Sequence, residues 1–434
     1  MSSFDELGLD ESLVEACAAM AITTPTPIQQ ASIPALLSGS NAIIGSPTGS
    51  GKTLCFAIPT LQALRKDPYG VFSVVLTPVR ELAYQIQQQF AAFGLHMNLK
   101  TCLVVGGKST GHQSGVIMRE RPHVVIGTPG RLADMLRTSP DVSTAFRRVR
   151  VLVLDEADRL LDGAGFGQDL VDIMTVIPTK ESRQTVFVTA TLTAKVRELQ
   201  SRYGGPDKMP ILTDASEDAT STKLSVASTI QNKYVLVPSI VRMVYLHHLL
   251  REVYPTQSII IFTRTIKSCQ MVASSIEKFL SDMPDNQGKV ACLHSLLDGQ
   301  SRRFAALGKF RNQNARILVA TDVAARGLDI PKVAVVINFE LSRDISTYIH
   351  RVGRAGRSGN LGVAVSLVSD EDVEILKAIE ADISVTMESV SFDEDVVLER
   401  LSATSTARRE AEAMLKQSGF EEKLNLYKKR KLDR

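Results

Sequence analysis

The chain has 434 residues, which is too long for one ordinary compact core and predicts two or three domains. Apolar residues make up 44% of it and charged residues 22%, a globular composition that argues against wholesale disorder, collagen-like repeats or a coiled-coil rod. No apolar run approaches the ~18 residues that a membrane span needs. The five cysteines form no C-x-x-C pair, which argues against a zinc knuckle. The net charge is only +3, so any nucleic-acid contact should come from a local groove.

Short β-branched runs alternate with helical patterns along the first half of the chain. This alternation predicts a parallel sheet covered by helices on both faces. Two of the helical patterns are Glu81–Phe93, which ends at Gly94, and Phe166–Ile177, which ends at Pro178. The predicted strands are Asn41–Gly45, Val71–Thr77, Leu99–Val105, His123–Gly127, Val149–Leu154 and Gln184–Thr189.

The alternation lapses over Asp214–Thr229, which is rich in Ser, Thr, Ala and Asp and predicts a linker. It resumes from Gln231, which predicts a second α/β domain. Its predicted strands are Tyr234–Val237, Ser258–Phe262, Val290–Leu293, Arg316–Ala320, Val333–Asn338 and Val363–Val368. We therefore expect a first domain over 1–213, a linker over 214–230, a second domain over 231–390 and a helical basic tail over 391–434.

A glycine-rich segment follows the first predicted strand and opens a helix. It reads Ser46-Pro47-Thr48-Gly49-Ser50-Gly51-Lys52-Thr53. In a P-loop, backbone N–H groups hold phosphate oxygens, the lysine reaches the terminal phosphates and the threonine hydroxyl binds Mg²⁺. The strict pattern has Gly where Ser46 stands, so an ordinary Gly/Ser turn is the alternative interpretation.

A group of carboxylates follows another predicted strand. Val151–Leu154 runs directly into Asp155-Glu156-Ala157-Asp158. Ligands of parallel α/β sheets bind at the carboxyl ends of the strands, so one acid there can hold Mg²⁺ and a second can orient an attacking water. The alternative is a solvated acidic turn, which the upstream P-loop makes improbable.

With these and further short motifs the chain resembles a DEAD-box RNA helicase of superfamily 2, over Phe4 to about Ser369. The joint occurrence of the motifs in this order is specific, although each is short. They are Thr24-Pro25-Thr26-Pro27-Ile28-Gln29, Pro78-Val79-Arg80-Glu81-Leu82-Ala83, Gly106-Gly107, Thr128-Pro129-Gly130-Arg131, Thr189-Ala190-Thr191, Gln300-Ser301-Arg302-Arg303, Thr321-Asp322 through Pro331, and His350-Arg351-Val352-Gly353-Arg354-Ala355-Gly356-Arg357.

The resemblance implies two RecA-like domains that bind ATP and RNA across the cleft between them. In the nucleotide site it implies that Gln29 reads the adenine edge with Phe4 near the base, and that Asp329 binds the ribose. The P-loop, through Lys52 and Thr53, would hold the phosphates and Mg²⁺. The catalytic residues would be Asp155, which contacts Mg²⁺ through water, Glu156, which positions the attacking water, and the arginine fingers Arg354 and Arg357.

The same resemblance implies an RNA site that contacts the backbone rather than the bases. Its residues would be Arg80, Gly107, Thr128, Arg131 and Thr321. Val79 stands where the family usually has Thr, which removes one possible hydroxyl contact. Because the motifs offer Gly, Thr and Arg, we expect low sequence specificity, with RNA chosen over DNA through the 2′-OH.

The implied function is an ATP-dependent RNA helicase that acts as a monomer, away from membranes. The flanking segments resemble the small-subunit ribosome-biogenesis group of the family, which implies pre-ribosomal RNA and pre-ribosomal particles in the nucleolus of the nucleus. Two alternatives are an ATP-gated RNA clamp that separates strands poorly and a catalytically silent RNA-binding scaffold. The scaffold is disfavoured because Lys52, Asp155, Glu156 and both arginines are present.

Two features have other interpretations. Gly107-Lys108-Ser109-Thr110-Gly111 fits the G-x-S-x-G pattern of serine hydrolases, but it is short enough to occur by chance. The end of the chain, Glu421–Arg434, has six basic and three acidic residues. It is either a solvated helix end or a nuclear-localisation signal or RNA-phosphate contact.

Overall fold

The chain divides into two compact units, Met1–Lys223 and Leu224–Arg434. The computed structural model describes residues 3–46, 49–107, 109–161, 166–190, 198, 209–213, 230–283, 288–297, 300–322, 330–331, 333–356, 361–383 and 385–432. Among these residues, no helix has both the length and the apolar character needed to cross a membrane.

The first unit is built on a seven-stranded sheet in the order β3-β4-β2-β5-β6-β1-β7, and every pairing is parallel. Its strands are β1 Ala42–Gly45, β2 Ser73–Leu76, β3 Thr101–Val104, β4 Val124–Gly127, β5 Val151–Asp155, β6 Gln184–Thr189 and β7 Ile211–Thr213. Its helices are α1 Glu11–Ala19, α2 Pro27–Leu37, α3 Lys52–Lys66, α4 Arg80–Phe93, α5 Thr110–Glu120, α6 Pro129–Thr138, α7 Pro140–Ala145, α8 Ala157–Leu161 and α9 Phe166–Val176.

Both faces of this sheet are buried, which explains why its strands are continuous apolar runs. Ile44 and Val75 pack into one hydrophobic cluster, while their chain neighbours Ile43 and Val74 pack into another. Successive side chains of a strand point to opposite faces, so each strand feeds both clusters.

The second unit is built on another seven-stranded parallel sheet, in the order β10-β11-β9-β12-β13-β8-β14. Its strands are β8 Ile230–Leu236, β9 Ile259–Thr263, β10 Val290–Leu293, β11 Ile317–Thr321, β12 Val335–Asn338, β13 Gly362–Val368 and β14 Glu388–Ser389. Its helices are α10 Arg242–His248, α11 Ile266–Phe279, α12 Gln300–Arg311, α13 Ile345–Val352, α14 Val373–Ile383, α15 Glu394–Leu398, α16 Leu401–Gln417 and α17 Phe420–Leu432.

The α/β class with two parallel sheets is confirmed, and the differences lie at the sheet edges. β7 and β14 were not predicted, because strands of three and two residues are too short to show a period. Ile230, which we assigned to the linker, is the first residue of β8. The remainder of the predicted linker, 214–229, lies outside the described residues.

The predicted C-terminal tail is helical, and its helices belong to the core of the second unit. Val397 and Ala407 are buried in the same cluster as Val272 of α11. On α10, His247 lies 3.0 Å from the hydroxyl of Thr404 through Nδ1. The helices beyond residue 391 therefore pack into the core of the second unit.

Candidate active site

The predicted site residues of the first unit collect at the carboxyl edge of its sheet. Ser46 follows β1, Asp155 ends β5 and Thr189 ends β6. In register, Asp155 lies opposite Val188, and the next β6 residue, Thr189, lies opposite Gly45. Two strand spacings of ~4.8 Å therefore separate the end of β5 from the start of the P-loop.

The P-loop turns sharply between β1 and α3. Ser46 donates its N–H to the carbonyl of Thr189 at 3.2 Å, which fixes the start of the loop on the neighbouring strand. Gly51, with φ 87°, is the N-cap of α3 and adopts the left-handed conformation that glycine accepts readily. At the next residue, Lys52 donates through Nζ to the carbonyl of Ser46 at 2.5 Å. Pro47 and Thr48 lie outside the described residues, while Gly49, Ser50 and Thr53 lie within them.

Lys52 interacts electrostatically with the carboxylates at the end of β5 and just after it. Burial lowers the pKa of Lys52, while the charges of Asp155, Asp158 and Glu156 act in the opposite direction. Burial also raises the pKa of Asp155 to about 7, with Glu156 adding to the rise and Lys52 opposing it. A concentration of carboxylates in a buried position, balanced by one ammonium group, fits a site that receives a phosphate together with a cation.

Glu156 has an unusual backbone conformation. Its φ is 51°, in the left-handed region that costs a non-glycine residue on the order of 1 kcal/mol or more. Its N–H donates to Oδ1 of Asp155 at 3.0 Å, and its carboxylate lies 3.5 Å from Nη1 of Arg159. At this strained turn the two adjacent acids differ in exposure: Asp155 is buried and Glu156 is only partly buried.

Gln29 connects the start of α2 to the P-loop. Its Oε1 accepts from the N–H of Thr26 at 2.9 Å, and its Nε2 donates to the carbonyl of Gly51 at 3.1 Å. A Cβ on Gly51 would lie 2.4 Å from Nε2, so the contact depends on a glycine. The side-chain amide of Gln29, which we expect to read adenine, therefore also holds the P-loop in place.

Phe4 lies in the hydrophobic core of the first unit and is 2% exposed. The structure thus places the ring in the cluster that also includes Leu13 and Cys17. Its expected contact with the base stays a prediction.

The predicted RNA residues of the first unit lie at the other half of the same edge, in the segments that follow β2, β3 and β4. The guanidinium of Arg80 covers the Gly106-Gly107 turn, because a Cβ at these glycines would lie 2.6 Å and 2.8 Å from its nitrogens. Thr128 directly follows β4, is the N-cap of α6 and donates its N–H to the carbonyl of Val104 at 3.1 Å. Arg131 donates to the hydroxyl of Thr110.

The Gly106-Gly107 turn has a support that the sequence did not reveal. Gln113 is buried and uses both ends of its amide on Val105, accepting from its N–H at 3.2 Å and donating to its carbonyl at 3.0 Å. Ser109, the serine of the G-x-S-x-G pattern, accepts from the N–H of His112 as the cap of α5.

In the second unit, Thr321 ends β11 and is 4% exposed. Its hydroxyl has no hydrogen-bond partner among the described residues. The next residue, Asp322, pairs with Arg351 of α13, which is 1% exposed and was not assigned from the sequence. Arg354 follows α13, and its carbonyl accepts from the N–H of Val333 at 2.9 Å. Asp329 and Arg357 lie outside the described residues.

Comparisons with known proteins agree with this arrangement. The sequence profile of the DEAD/DEAH box helicases matches residues 26–199, and the helicase conserved C-terminal domain matches 242–359. The ATP-dependent RNA helicase DBP8 of Candida albicans is 43% identical over 432 residues, which is 99% of this chain and 96% of that protein. The probable ATP-dependent RNA helicase DDX49 of Homo sapiens is 43% identical over 437 residues, covering 100% and 86%.

Solved structures of similar fold include two with RNA bound. Dbp5 of S. cerevisiae, bound to RNA and ADP BeF3, has a TM-score of 0.75 and 28% identity, covering 94% of this chain and 100% of that one. Mss116p, bound to ssRNA and AMP-PNP, has a TM-score of 0.79 and 29% identity, covering 93% and 82%. The motifs, the two parallel sheets and the full-length similarity together establish that this chain belongs to the DEAD-box family of ATP-dependent RNA helicases.

Proposed function

We propose that this protein hydrolyses ATP when single-stranded RNA is bound and uses the cycle to separate or remodel RNA structure. The observation that carries the proposal is the collection of Lys52, Asp155 and Glu156 at one sheet edge, with the expected RNA residues along the rest of it. Nucleotide and RNA would thus share one sheet, and each could influence the other through its strands.

The residues of the first unit have distinct roles in this proposal. The P-loop N–H groups and Lys52 hold the phosphates, and Gln29 selects the base. Glu156 orients the attacking water and takes part in its deprotonation. The hydroxyl of Thr53 and the carboxylate of Asp155 would hold Mg²⁺, which prefers oxygen ligands of these kinds. When bound, that cation would neutralise phosphate charge.

The second unit supplies Arg354 and Arg357 in this proposal. Their fixed guanidinium forks suit the charge that develops on a transferring phosphoryl group. Because Lys52 belongs to the first unit, hydrolysis requires residues of both units. RNA that binds Thr321 as well as the residues of the first unit would therefore favour hydrolysis.

Pre-ribosomal RNA is the proposed substrate, within pre-ribosomal particles in the nucleolus. The resemblance to the ribosome-biogenesis group supports this choice. Crosslinking of the protein to RNA in cells tests it: reads concentrated on ribosomal precursors are expected, and reads spread over messenger RNA would contradict it.

The activity is tested by measuring ATP hydrolysis and separation of a short RNA duplex in the same samples. We expect both activities in the wild type and neither in Lys52→Ala. ATP-dependent RNA retention without strand separation would favour the alternative, an RNA clamp.

A further inference from the structure

The amino edge of the first sheet is strongly basic. The stretches 65–70, 96–100, 119–123 and 147–150 lie shortly before β2, β3, β4 and β5, which are neighbours in the sheet. Together they hold eight Lys or Arg side chains and two acidic ones, in a chain whose totals are 50 and 47. The P-loop and the acidic residues lie at the other end of the strands, so this concentration of charge is separate from the candidate active site.

Backbone hydrogen bonds fix the order of the basic residues along this edge. His123 donates its N–H to the carbonyl of Lys100 at 2.8 Å and accepts from the N–H of Phe72 at 2.8 Å. Arg150 in turn donates its N–H to the carbonyl of Phe72 at 2.8 Å. Lys100 and Arg150 are therefore three strand spacings apart, or ~14 Å, and Arg121 lies between them, two residues before His123.

We call Lys100, Arg121 and Arg150 the basic row. All three side chains are exposed, and none of them forms an ion pair with another residue that the structure describes. Tyr69 adds a fourth cation beside the row, because its hydroxyl donates to the carbonyl of Arg148 at 2.8 Å and its ring centroid lies 4.5 Å from that guanidinium. The row therefore presents positive charge to any molecule that approaches this edge.

A small apolar cavity lies next to the basic row. It has a volume of about 180 Å³ and is bounded by the start of α1 and the ends of α3 and α4. His123 lines it and so connects it to the row. Leu95, on the turn that follows α4, is 74% exposed close by. The apolar residues that line the cavity are Leu13, Leu64, Pro68, Phe93 and Met97.

The size of the cavity fits one apolar side chain. A cavity of ~150 Å³ accommodates benzene, whereas pockets for drug-sized ligands begin at ~300 Å³. A leucine or phenylalanine side chain therefore fits here, and a nucleotide does not. Burial lowers the pKa of His123, the charge of Lys100 lowers it further, and its Nδ1 accepts from the N–H of Lys100 at 3.1 Å. The imidazole is therefore neutral near pH 7 and does not oppose an apolar group beside it.

We propose that the amino edge of the first sheet docks an acidic segment of a protein partner, which inserts one apolar side chain into the cavity and places its carboxylates along the basic row. Buried apolar anchors supply most of the affinity of protein interfaces, and complementary charge at the rim guides the encounter. RNA phosphates would also meet the row, but RNA has no aliphatic side chain to fill the cavity or cover Leu95. A protein segment therefore accounts for both features.

The binding of synthetic peptides by the full-length protein tests this surface. Because an extended chain advances ~3.3 Å per residue, fluorescent peptides of about 12 residues span the row with some excess. Each has a central Leu, Ile, Met or Phe among Asp, Glu, Ser and Gly. We expect saturable binding of these peptides, about tenfold weaker binding when the central residue is Ser or when Asn and Gln replace the acids, and weaker binding as salt rises.

Charge reversal tests the contribution of the row. Lys100→Glu/Arg150→Glu should bind the acidic peptides about tenfold more weakly, because two attractions become repulsions. The matched control, Lys377→Glu/Arg409→Glu, makes the same change in charge at exposed positions of α14 and α16 and should bind as wild type. RNA-stimulated hydrolysis should be unchanged in both variants, since all four residues lie away from the candidate active site.

Two variants test the cavity. Met97→Asp places a charge in it, and Ser12→Phe fills it from its rim without adding a charge. Both should abolish the difference between peptides with Leu and with Ser at the centre, and urea unfolding checks that the variants remain folded. Two agreeing variants guard against a local folding defect in one of them.

The inference stands apart from the proposed function, because peptide binding needs neither ATP nor RNA. It would be overturned if no acidic peptide bound the wild type saturably, or if Lys100→Glu/Arg150→Glu bound the peptides as tightly as the wild type. A loss of RNA affinity in that variant, without peptide binding by the wild type, would assign the row to RNA and also contradict the inference.

Discussion

Arg351 donates two parallel hydrogen bonds to Asp322, from Nε to Oδ1 at 2.6 Å and from Nη2 to Oδ2 at 2.8 Å. The same guanidinium donates to the side chain of Asn338 and to the carbonyl of Glu340. Asp322 directly follows Thr321, and Arg351 lies three residues before Arg354. One buried ion pair therefore links the expected RNA contact of the second unit to the loop that carries an expected arginine finger.

Replacing Arg351 with Met should destabilise the second unit by about 3–5 kcal/mol, because Asp322 would keep a charge without its partner. Hydrogen exchange of the β11 amides measures this. The control is Arg408→Met, which breaks an exposed pair with Glu412 on α16 and should cost under about 1 kcal/mol. Similar protection losses in both variants would contradict the account.

Gln113→Ala should destabilise the first unit by about 1–3 kcal/mol, because the buried N–H and carbonyl of Val105 would lose their partners. The loosened Gly106-Gly107 turn should also weaken RNA binding. Urea unfolding and RNA titration measure the two effects. Gln168→Ala is the control, since that amide is exposed and donates to the carboxylate of Asp172 on the same helix. If Gln113→Ala leaves RNA affinity unchanged, the turn has no part in binding.

Gln29→Ala should reduce the preference for ATP over GTP and raise the KM for ATP. It removes the amide expected to read adenine and also the contact to the Gly51 carbonyl. Gln29→Glu keeps an acceptor for the Thr26 N–H but places a carboxylate against that carbonyl, so it should raise the KM as well. Steady-state rates with both nucleotides decide this. Equal use of ATP and GTP by the wild type would assign Gln29 to loop positioning alone.

The second unit should lose stability as the pH falls below 6.5. His247 is fully buried against Phe279 and Thr404, and burial lowers its pKa from 6.5 to about 3. Above pH 6.5 the residue is neutral in both folded and unfolded chains, so it has no effect there. Below that value only the unfolded chain takes up the proton, and at about pH 5 the loss from this group should be about 2 kcal/mol.

Unfolding of wild type and His247→Phe at several pH values tests this dependence. The variant should be less stable near neutral pH, where Thr404 loses its partner, and should show a flatter pH profile below 6.5. His96→Phe, on an exposed turn of the first unit, controls for the loss of a histidine. A wild-type and a His247→Phe profile of equal slope would show that His247 does not set the dependence.

The sequence predicted most strands because both faces of each sheet are buried, so strands such as Val151–Asp155 are apolar throughout. It also predicted that Lys52 and Asp155 would share a site, since parallel strands end at one edge. The sequence did not reveal the roles of Gln113 and Arg351. Gln113 bonds to backbone groups of Val105, and Arg351 pairs with Asp322, which lies 29 positions away in the chain. The anchoring of α17 was equally hidden, since Phe420 looks like an ordinary apolar helix residue until His294 and Leu296 are seen beside it.

Glu156→Gln and Arg357→Ala should separate RNA retention from hydrolysis. The first keeps the shape of Glu156 but removes the carboxylate that orients water, so ATP should hold the protein on RNA with little turnover. The second removes an arginine finger, which typically costs ~10³–10⁵ in rate, and we expect the lower end because Arg354 remains. RNA release after addition of competitor, with ATP present, should be slow for Glu156→Gln and fast for Arg357→Ala. If Glu156→Gln released RNA as fast as the wild type, the role assigned to Glu156 would be wrong.

The dependence of ATP hydrolysis on RNA tests the central claim most directly. The steady-state rate of the full-length protein should be low alone, rise with single-stranded RNA of any sequence, and rise less with single-stranded DNA of matched sequence. The same rate with and without RNA would contradict the account, because hydrolysis would then need nothing that RNA supplies.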